Sequence, residues 1–399
     1  MDIAAKLKEI LIPRPNGSEN LESIADHLAS SLTQQGATVT EHLFTATPHG
    51  FQIMWTAAVL IMVFYSWAVI KQHYKLAVVL PVLLALALFV EFEYLVSTFS
   101  LLSTATERNI IGIWSGAVNA PTLIFSAHYD TATHFGDHFS WGLWGQLQGP
   151  ATGIAILLPV IGLLLQRRGK SLPSALTCLL LPLAAAPFIA MFWFQSIGPL
   201  LRTPSVGAID NGGAMAVLLQ LAEEMKQRPA NTGANVKIVF LAAEEERTLG
   251  SWAYAKALVY DKQIDIKNTF VINLESIGTT ENLAYIPEDG FATRRFRSSP
   301  KIIDFINRAA QQVYGEALPP KPLPFGTLTD GRSFLAHGVQ TITLRSLEED
   351  EFPRHLHSEY DSIDRLSMTG LEKSVELLKV LISDANGDAT TSPTPMSLD

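Results

Sequence analysis

Polar and apolar positions follow one another along this chain on two length scales. On the long scale, four stretches are almost wholly apolar. FQIMWTAAVLIMVFYSWAVI (Phe51–Ile70) runs for 20 residues without a charge, and a helix of that length spans about 30 Å, the thickness of a bilayer's hydrocarbon core. After the loop KQHYK comes LAVVLPVLLALALFVEFEYLV (Leu76–Val96), with Glu91 and Glu93 near its far end. GPATGIAILLPVIGLLLQ (Gly149–Gln166) follows and, beyond RRGK, so does SLPSALTCLLLPLAAAPFIAMFWFQSIGPLL (Ser171–Leu201), which carries Pro182 and Pro187. A single such stretch is as readily a buried core helix. Four of them in two tight pairs predict two transmembrane hairpins.

Elsewhere the periods are short. Leu21–Gln35 is amphipathic and stops at Gly36, as a helix with a glycine cap does. TLIFSA (Thr122–Ala127), set off by Pro121, reads as a buried strand, and VKIVFLAA (Val236–Ala243), TFVINLES (Thr269–Ser276) and VQTITLRS (Val339–Ser346) read alike. Asn211–Arg228 and Gly370–Ala385 read as helices, the second with Leu371, Val375, Leu378 and Ile382 on one face. Strands interleaved with helices predict an α/β fold, a mixed central sheet covered by helices on both faces. The hairpins, 51–104 and 139–201, interrupt it. Residues 1–50, 105–138 and 202–385 are then three pieces of one domain, and 386–399 is a polar tail expected to be disordered.

Composition agrees with membrane residence. Hydrophobic residues make up 48% and charged ones 17%, with a mean hydropathy of +0.22, whereas charged residues are about a quarter of an ordinary soluble domain. A net charge of −9 argues against a nucleic-acid-binding surface, which needs clustered Lys and Arg. The lone Cys178 excludes an intrachain disulfide and leaves the compartment open. The opening MDIAAKLKEILIPRPNGSEN is charged and broken by Pro13 and Pro15, so it does not read as a signal peptide. Lys71, Lys75, Arg167, Arg168 and Lys170 lie in the two tight loops, against Arg108 and Arg202 near the other ends of the spans. The positive-inside rule then places the tight loops in the cytoplasm and every polar piece outside it, whether periplasmic, extracellular or lumenal. Glu91 and Glu93 would sit at the outer interface, where ionised carboxylates are tolerated. Trp141 and Trp144 fit an interfacial aromatic belt.

The acids and histidines fall at the ends of the expected strands. His128 and Asp130 follow the first. Asp210 precedes a helix. Glu244 and Glu245 follow VKIVFLAA, Glu275 closes TFVINLE, and His357 and Asp361 lie in LHSEYDS beyond VQTITLRS. Each alone has an ordinary explanation: Asp210 a helix N-cap, Glu244 and Glu245 solvated charges, His357 a surface loop residue. Together they bring imidazoles and carboxylates to the carboxyl rim of a sheet, where open α/β folds bind ligands. So many carboxylates would repel one another and raise each other's pKa unless cations stood between them. Oxygen and imidazole donors without thiolate suit zinc, and also cobalt or manganese. A bridging carboxylate can hold two such ions about 3.5–4 Å apart.

On the blocks SAHYDT, GAIDNGGAMAVLLQLAEEM, FLAAEEERTLGS, NLESIG and HSEYDSID, together with the opening IPRPNGSENLESIADHLASSLTQQGATV, the polar pieces resemble the M28 family of zinc metallopeptidases. These are aminopeptidase-type enzymes with co-catalytic zinc. The resemblance implies a zinc-aminopeptidase-like fold and two Zn2+ ions bridged by Asp210, with Glu245 and His357 completing one site and His128 and Glu275 the other. Glu244 would be the general base, and Asp130 would orient His128. Asp361 would do similar work near His357. The family's E-E-x-x-x-x-G-S spacing, ending here at Gly250 and Ser251, selects Glu244 and Glu245 and leaves Glu246 as a bystander.

Three departures from the pattern stand out. Glu275 occupies a position that is Asp in most soluble aminopeptidases, and its N-L-E form resembles the membrane-embedded branch, the endoplasmic-reticulum and vacuolar membrane metallopeptidases. Arg247 and Thr248 replace the usual Gly-Leu. TDGRSF (Thr329–Phe334) lacks the His of the S-D-H-x-x-F block, so Asp330 reads as a structural turn before a substrate-pocket residue. His134, His138 and His355 read as surface histidines ahead of further ligands, and RRFRSSPK (Arg294–Lys301) as a solvated basic loop. The function implied is a multipass membrane peptidase acting on the N-terminus of peptides, with the bilayer and a peptide as its partners and the active-site rim near the membrane. A glutaminyl-cyclase-like acyltransferase with a single zinc, a non-catalytic binding module and a transporter are the alternatives. The sequence does not set the oligomeric state.

Overall fold

A computed structural model of the chain describes residues 2–96, 98, 102–133, 138–201, 204–229, 231–324, 326–348 and 355–388, the side chains of 138–141 and 387–388 excepted. His134 and Arg202 lie outside the described residues, as do the side chains of His138 and Trp141.

Two helices open the chain, α1 (Ile3–Ile10) and α2 (Glu19–Gln34). Ser18 caps α2 by accepting the Leu21 N–H, and Gly36, at φ +82°, follows its end. Strand β1 (Thr38–Ala46) leads into the first apolar hairpin, α3 (Gly50–Ile70) and α4 (Tyr74–Tyr94). Strands β2 (Ala105–Trp114) and β3 (Thr122–His128) follow, then α5 (His138–Gln146) and the second apolar hairpin, α6 (Gln148–Gln166) and α7 (Ser174–Phe192). The remaining elements are α8 (Gly213–Met225), β4 (Asn235–Leu241), α9 (Leu249–Tyr260), β5 (Thr269–Leu274), β6 (Leu283–Ile286), a ribbon of β7 (Glu288–Asp289) and β8 (Phe296–Arg297), α10 (Pro300–Tyr314), α11 (Asp330–Ala336), β9 (Gln340–Ser346) and α12 (Met368–Asp388). The final helix therefore runs past Ala385 into the segment expected to be a tail, the rest of which lies outside the described residues.

Seven strands form one mixed sheet in the order β1-β2-β4-β3-β5-β9-β6. The central four, β4, β3, β5 and β9, are mutually parallel, and the outer strands pair antiparallel. Beyond the four strands that the apolar runs predict, β1, β2 and β6 complete the sheet; β1 and β2 are more polar because they lie toward one edge, and β6 (LAYI) is only four residues long. One face is covered by α1, α2, α8, α10 and α12 around a core that includes Leu28, Leu218, Phe240, Ile306 and Leu378. α9 and α11 cover the other face, with Tyr254, Leu258 and Phe334 against Ile124 and Val271.

Among the described residues, four helices are long and apolar enough to cross a membrane, Gly50–Ile70, Tyr74–Tyr94, Gly142–Gln166 and Ser174–Leu200. They form a bundle with its own core of Met54, Trp55, Ala58, Tyr65, Leu84, Leu158 and Phe188, and they turn Leu60, Phe64, Leu83, Leu86, Leu157 and Leu179 outward. Topology fixes where this bundle joins the sheet. Ala46 ends β1 opposite Ala105, which starts β2, and β2 runs antiparallel to β4. Both ends of the first hairpin therefore emerge at the carboxyl edge of the parallel strands. The second hairpin leaves from the carboxyl end of β3, at the same edge. Glu91 and Glu93, expected at an interface open to water, are instead 1% and 0% exposed beneath the α/β domain. Glu91 meets nearby Thr98 and distant Arg247, and Glu93 is held by segments far away in sequence.

Asn109 of β2 ties the start of α9 to the end of β4. Its side chain donates to the Gly250 carbonyl at 3.0 Å and accepts the Ala242 N–H at 3.0 Å. A Cβ on Gly250 would lie 2.0 Å from the Ala242 carbonyl oxygen. Gly250→Ala is therefore expected to destabilise the chain by about 1–3 kcal/mol, read as a lowered Tm in detergent; an unchanged Tm would contradict the close approach. At the ribbon, the Asp289 carboxylate accepts from the Thr329 N–H at 3.2 Å and its hydroxyl at 2.5 Å, and Thr329 caps α11. Burial pushes the Asp289 pKa from 3.8 to about 6, against the pull of the Thr329 bonds and Arg332. The folded state thus favours the neutral acid, and this contribution is full below about pH 4 and lost as pH rises through about 6. Relative to wild type, Asp289→Asn is expected to gain about 3 kcal/mol of stability between pH 4 and pH 7; parallel curves of Tm against pH would exclude it.

Candidate metal centre

His128 ends β3, the strand flanked by β4 on one side and β5 on the other. Its Nε2 lies 2.8 Å from Asp210 Oδ1 and 3.6 Å from Glu275 Oε1. Glu275 is the first residue after β5 and is anchored by its N–H to the Leu344 carbonyl at 2.9 Å. Asp210 does not cap a helix. It stands in a non-helical turn ahead of α8, and its carboxylate turns to two imidazoles. Gly207, at φ +61°, enters that turn, and a Cβ there would meet the Asp210 carbonyl at 2.4 Å. The second imidazole, His357 in the loop after β9, has its Nε2 2.5 Å from Asp210 Oδ2 and 3.3 Å from Glu245 Oε1.

Two triads result, His128–Asp210–Glu275 and Asp210–Glu245–His357. In each, the donor atoms lie within 4.8 Å of one another. They share Asp210, which offers one oxygen to each imidazole.

The supports are in part those expected. Asp130 lies beside His128, with its carbonyl 3.2 Å and its Oδ1 3.6 Å from Nδ1. Its carboxylate also accepts the N–H groups of Glu244 and Glu245, both at 3.1 Å, and Asn16 Nδ2 at 2.8 Å. One side chain thus locks both the imidazole and the acidic loop. Asp361 bonds Asp210's turn rather than His357. It accepts the Ile209 N–H at 2.5 Å and the Asp210 N–H at 3.3 Å, and burial pushes its pKa up to about 7. Glu246 faces away from the triads and accepts from Thr47. Asp330, expected as a turn, is the first residue of α11 and fully buried. Burial, helped by Glu275 and Asp130 and opposed by His128, pushes its pKa to about 8.

Arg14 is a support that sequence patterns alone do not single out. Fully buried, it donates to the carbonyls of Tyr129 (2.7 Å), Val206 (2.6 Å) and Gly207 (3.2 Å), and so joins the loop after His128 to the turn of Asp210. Its one signal in the chain is an arginine locked between Pro13 and Pro15 at the end of an apolar helix.

The donor set fits cations. Nδ1 of His128 faces the Asp130 carbonyl and is the natural site of the ring proton, so the Nε2 lone pair points at Asp210 Oδ1 from 2.8 Å. That contact is repulsive without a positive charge between the atoms. Burial disfavours charge on His128 and His357, yet carboxylates hold both pKa values well above the usual imidazole range, chiefly Glu275 for His128 and Glu245 for His357. Burial raises the Glu244 pKa well above the usual carboxylate range, with Glu275, Asp330 and Glu245 adding to it and His128 opposing. Among the described residues, Glu275 Oε2 is buried with no hydrogen-bond donor, and the buried Glu245 Oε1 faces only the His357 ring nitrogen, 3.3 Å away. Buried oxygens so poorly supplied with donors, one in each triad, suit metal coordination.

Comparison with known proteins gives the same direction. The model of peptidase family M28 matches residues 193–382. The fold is similar to that of Bacteroides thetaiotaomicron glutaminyl cyclase bound to N-acetylhistamine (16% identity, TM-score 0.53, covering 95% of this chain and 94% of that one). It is similar to that of a Zn-dependent exopeptidase from Parabacteroides distasonis (16%, 0.54, 95% of each chain). A leucine aminopeptidase precursor from Bacteroides thetaiotaomicron aligns comparably (16%, 0.52, 95% and 93%). No curated protein matches the chain. A fold like that of zinc exopeptidases, and a family match over residues 193–382 that spans Asp210, Glu244, Glu245, Glu275 and His357, make this part of the chain similar to peptidase family M28.

Proposed function

We propose that the chain is a multipass membrane zinc metallopeptidase that removes residues from the N-terminus of peptides, with two Zn2+ ions held by Asp210 between Glu245–His357 and His128–Glu275. The observation that carries this reading is the pair of triads sharing one buried aspartate. When bound, the zinc ions supply Lewis acidity toward the scissile carbonyl and lower the pKa of water. Glu244, held by its backbone N–H on Asp130, takes the proton of the attacking water and delivers it to the leaving amine. Its upward-shifted pKa suits a group that must both accept and release a proton. Asp130 fixes the His128 tautomer and keeps Nε2 free for a cation. The enclosed rim of carboxyl groups, with Asp330 near Glu275, offers acceptors to a substrate's ammonium group and so supports aminopeptidase action.

The four apolar helices and their outward-facing leucines and phenylalanines support membrane residence. Since both hairpins leave from the carboxyl edge of the sheet, the rim lies next to the bilayer, on the side away from Lys71 and Arg167. Glu275, together with these helices, supports a place in the membrane-embedded branch of the family.

A glutaminyl-cyclase reading has support from the fold's likeness to such enzymes; it would need one zinc. The expected results are about two zinc ions per purified chain, hydrolysis of aminoacyl but not N-blocked peptides, and loss of activity on chelation. Zinc near one per chain, with ammonia and a cyclised product from N-terminal glutamine, would replace this reading by the cyclase. Glu244→Gln is expected to keep its zinc and to lose about a hundredfold or more in kcat. A variant with wild-type turnover would remove Glu244 as the base.

A further inference from the structure

The loop carrying Glu244 and Glu245 is fastened to both ends of the first apolar hairpin. Glu246 accepts the Thr47 N–H at 2.9 Å and the Thr47 hydroxyl at 3.3 Å, just before α3 begins. Arg247 reaches the other end: its Nη1 lies 2.9 Å from Glu91 Oε1 in the last turn of α4. Its Nη2 donates to Thr47 Oγ1 at 3.3 Å, closing a ring of contacts. Arg247 is 5% exposed and Glu91 1%, so the pair is shielded from water. Such a pair keeps its geometry because breaking it strands a buried charge. The same turn of α4 grips the opposite wall. Glu93 accepts the N–H groups of Ala292 (3.1 Å), Thr293 (2.8 Å) and Arg294. Its carbonyl accepts Arg332 Nη2 at 2.6 Å, two residues beyond Asp330.

The backbone of the loop needs such holding. Ala243, Arg247 and Thr248 have φ of +56°, +67° and +59°, in the left-handed region that disfavours residues with a Cβ, a β-branched threonine most of all. Glycine adopts that region freely, but this chain has arginine at 247. Conformations of this kind persist where the surroundings over-determine them. Here Asp130 holds the loop from the sheet side, and the hairpin holds it from the other.

We propose that the first apolar hairpin is a working part of the active site as well as a membrane anchor: Glu91 and Thr47, acting through Arg247 and Glu246, are positioning residues that fix the loop 243–248 and with it the carboxylates of Glu244 and Glu245. The inference rests on the reading of Glu244 as base and Glu245 as ligand. It makes catalysis depend on how α3 and α4 pack in the bilayer.

The test uses the full chain in lipid nanodiscs, comparing wild type with Glu91→Gln, Arg247→Gln, Arg247→Lys and Thr47→Val. Three quantities are read: kcat and KM on an aminoacyl substrate, zinc content, and hydrogen–deuterium exchange of the amides in 243–248. Breaking the pair is expected to lower kcat by about tenfold or more, since small misplacements of catalytic groups cost rate steeply. KM and zinc content should change by less than about twofold, and exchange in 243–248 should quicken while the sheet stays protected. Arg247→Lys, which keeps a cation facing Glu91, should recover much of what Arg247→Gln loses. Thr47→Val, which removes only a hydroxyl and tests the latch if the charge variants do not fold, should show the same pattern at smaller amplitude. Wild-type kcat and exchange in Glu91→Gln and Thr47→Val would overturn the proposal. So would a loss of activity that tracks zinc loss or global unfolding with no selective change in 243–248. If the wild-type chain hydrolyses no peptide, the exchange measurement still decides the latch, so the two failures are separable.

Discussion

One aspartate with two imidazoles on its two oxygens is the contact around which this molecule is arranged. Asp210 is 4% exposed, and its oxygens lie 2.8 Å and 2.5 Å from ring nitrogens. Glu244, Glu245, Glu275 and Asp330 crowd the same space. Burial strips these carboxylates of water, and their mutual repulsion would neutralise them. The carboxylates hold both imidazole pKa values above the usual range, so this space favours positive charge. Divalent cations relieve the repulsion, because each can take oxygen and nitrogen donors at once. The same crowding that is costly in the bare protein therefore becomes affinity for metal.

The supports around that contact share the load by backbone anchoring. Asp361 holds the turn of Asp210, and Asp130 holds the amides of Glu244 and Glu245. Arg14 clips the turn to the loop after β3. Asp210, Glu244 and Glu245 thus stand on backbone fixed by buried carboxylates. The two hairpins join the sheet at this same edge, so the apolar bundle and the site are neighbours by topology. A soluble sheet with loops at that rim has freedom to move; here the turn at the end of α4 is pressed against both the acidic loop and α11.

Much of this arrangement is legible in the amino-acid sequence, for specific reasons. Ladder strands such as TLIFSA and TFVINLE are continuous apolar runs because parallel strands are buried on both faces. Residues at their carboxyl ends must then share a rim, which is why His128, Glu244, Glu245, Glu275 and His357 group together on spacing and family resemblance. β1 and β2 escape such a reading, since their mixed composition gives a weak period. Asp361 accepts from the backbone N–H groups of Ile209 and Asp210 and from the Ser205 hydroxyl, and a backbone group carries no side-chain signature. Glu246 looks like a bystander for a similar reason: its role is fixed by Thr47, 199 positions away.

What the sequence determined by itself is what local periodicity and composition encode: four helices long and apolar enough for a bilayer, an α/β sheet interrupted by them, and the chemical types gathered at its rim. These follow from patterns that repeat within a few residues. The tertiary structure alone decided which charges face one another. It took Glu91 and Glu93 from an expected interface and buried them against Arg247 and the segment 292–294, and it turned Asp330 inward. The physical reason is that an ion pair across 156 positions costs the sequence nothing to hide. Either partner would look like an ordinary polar residue until folding removes the water between them.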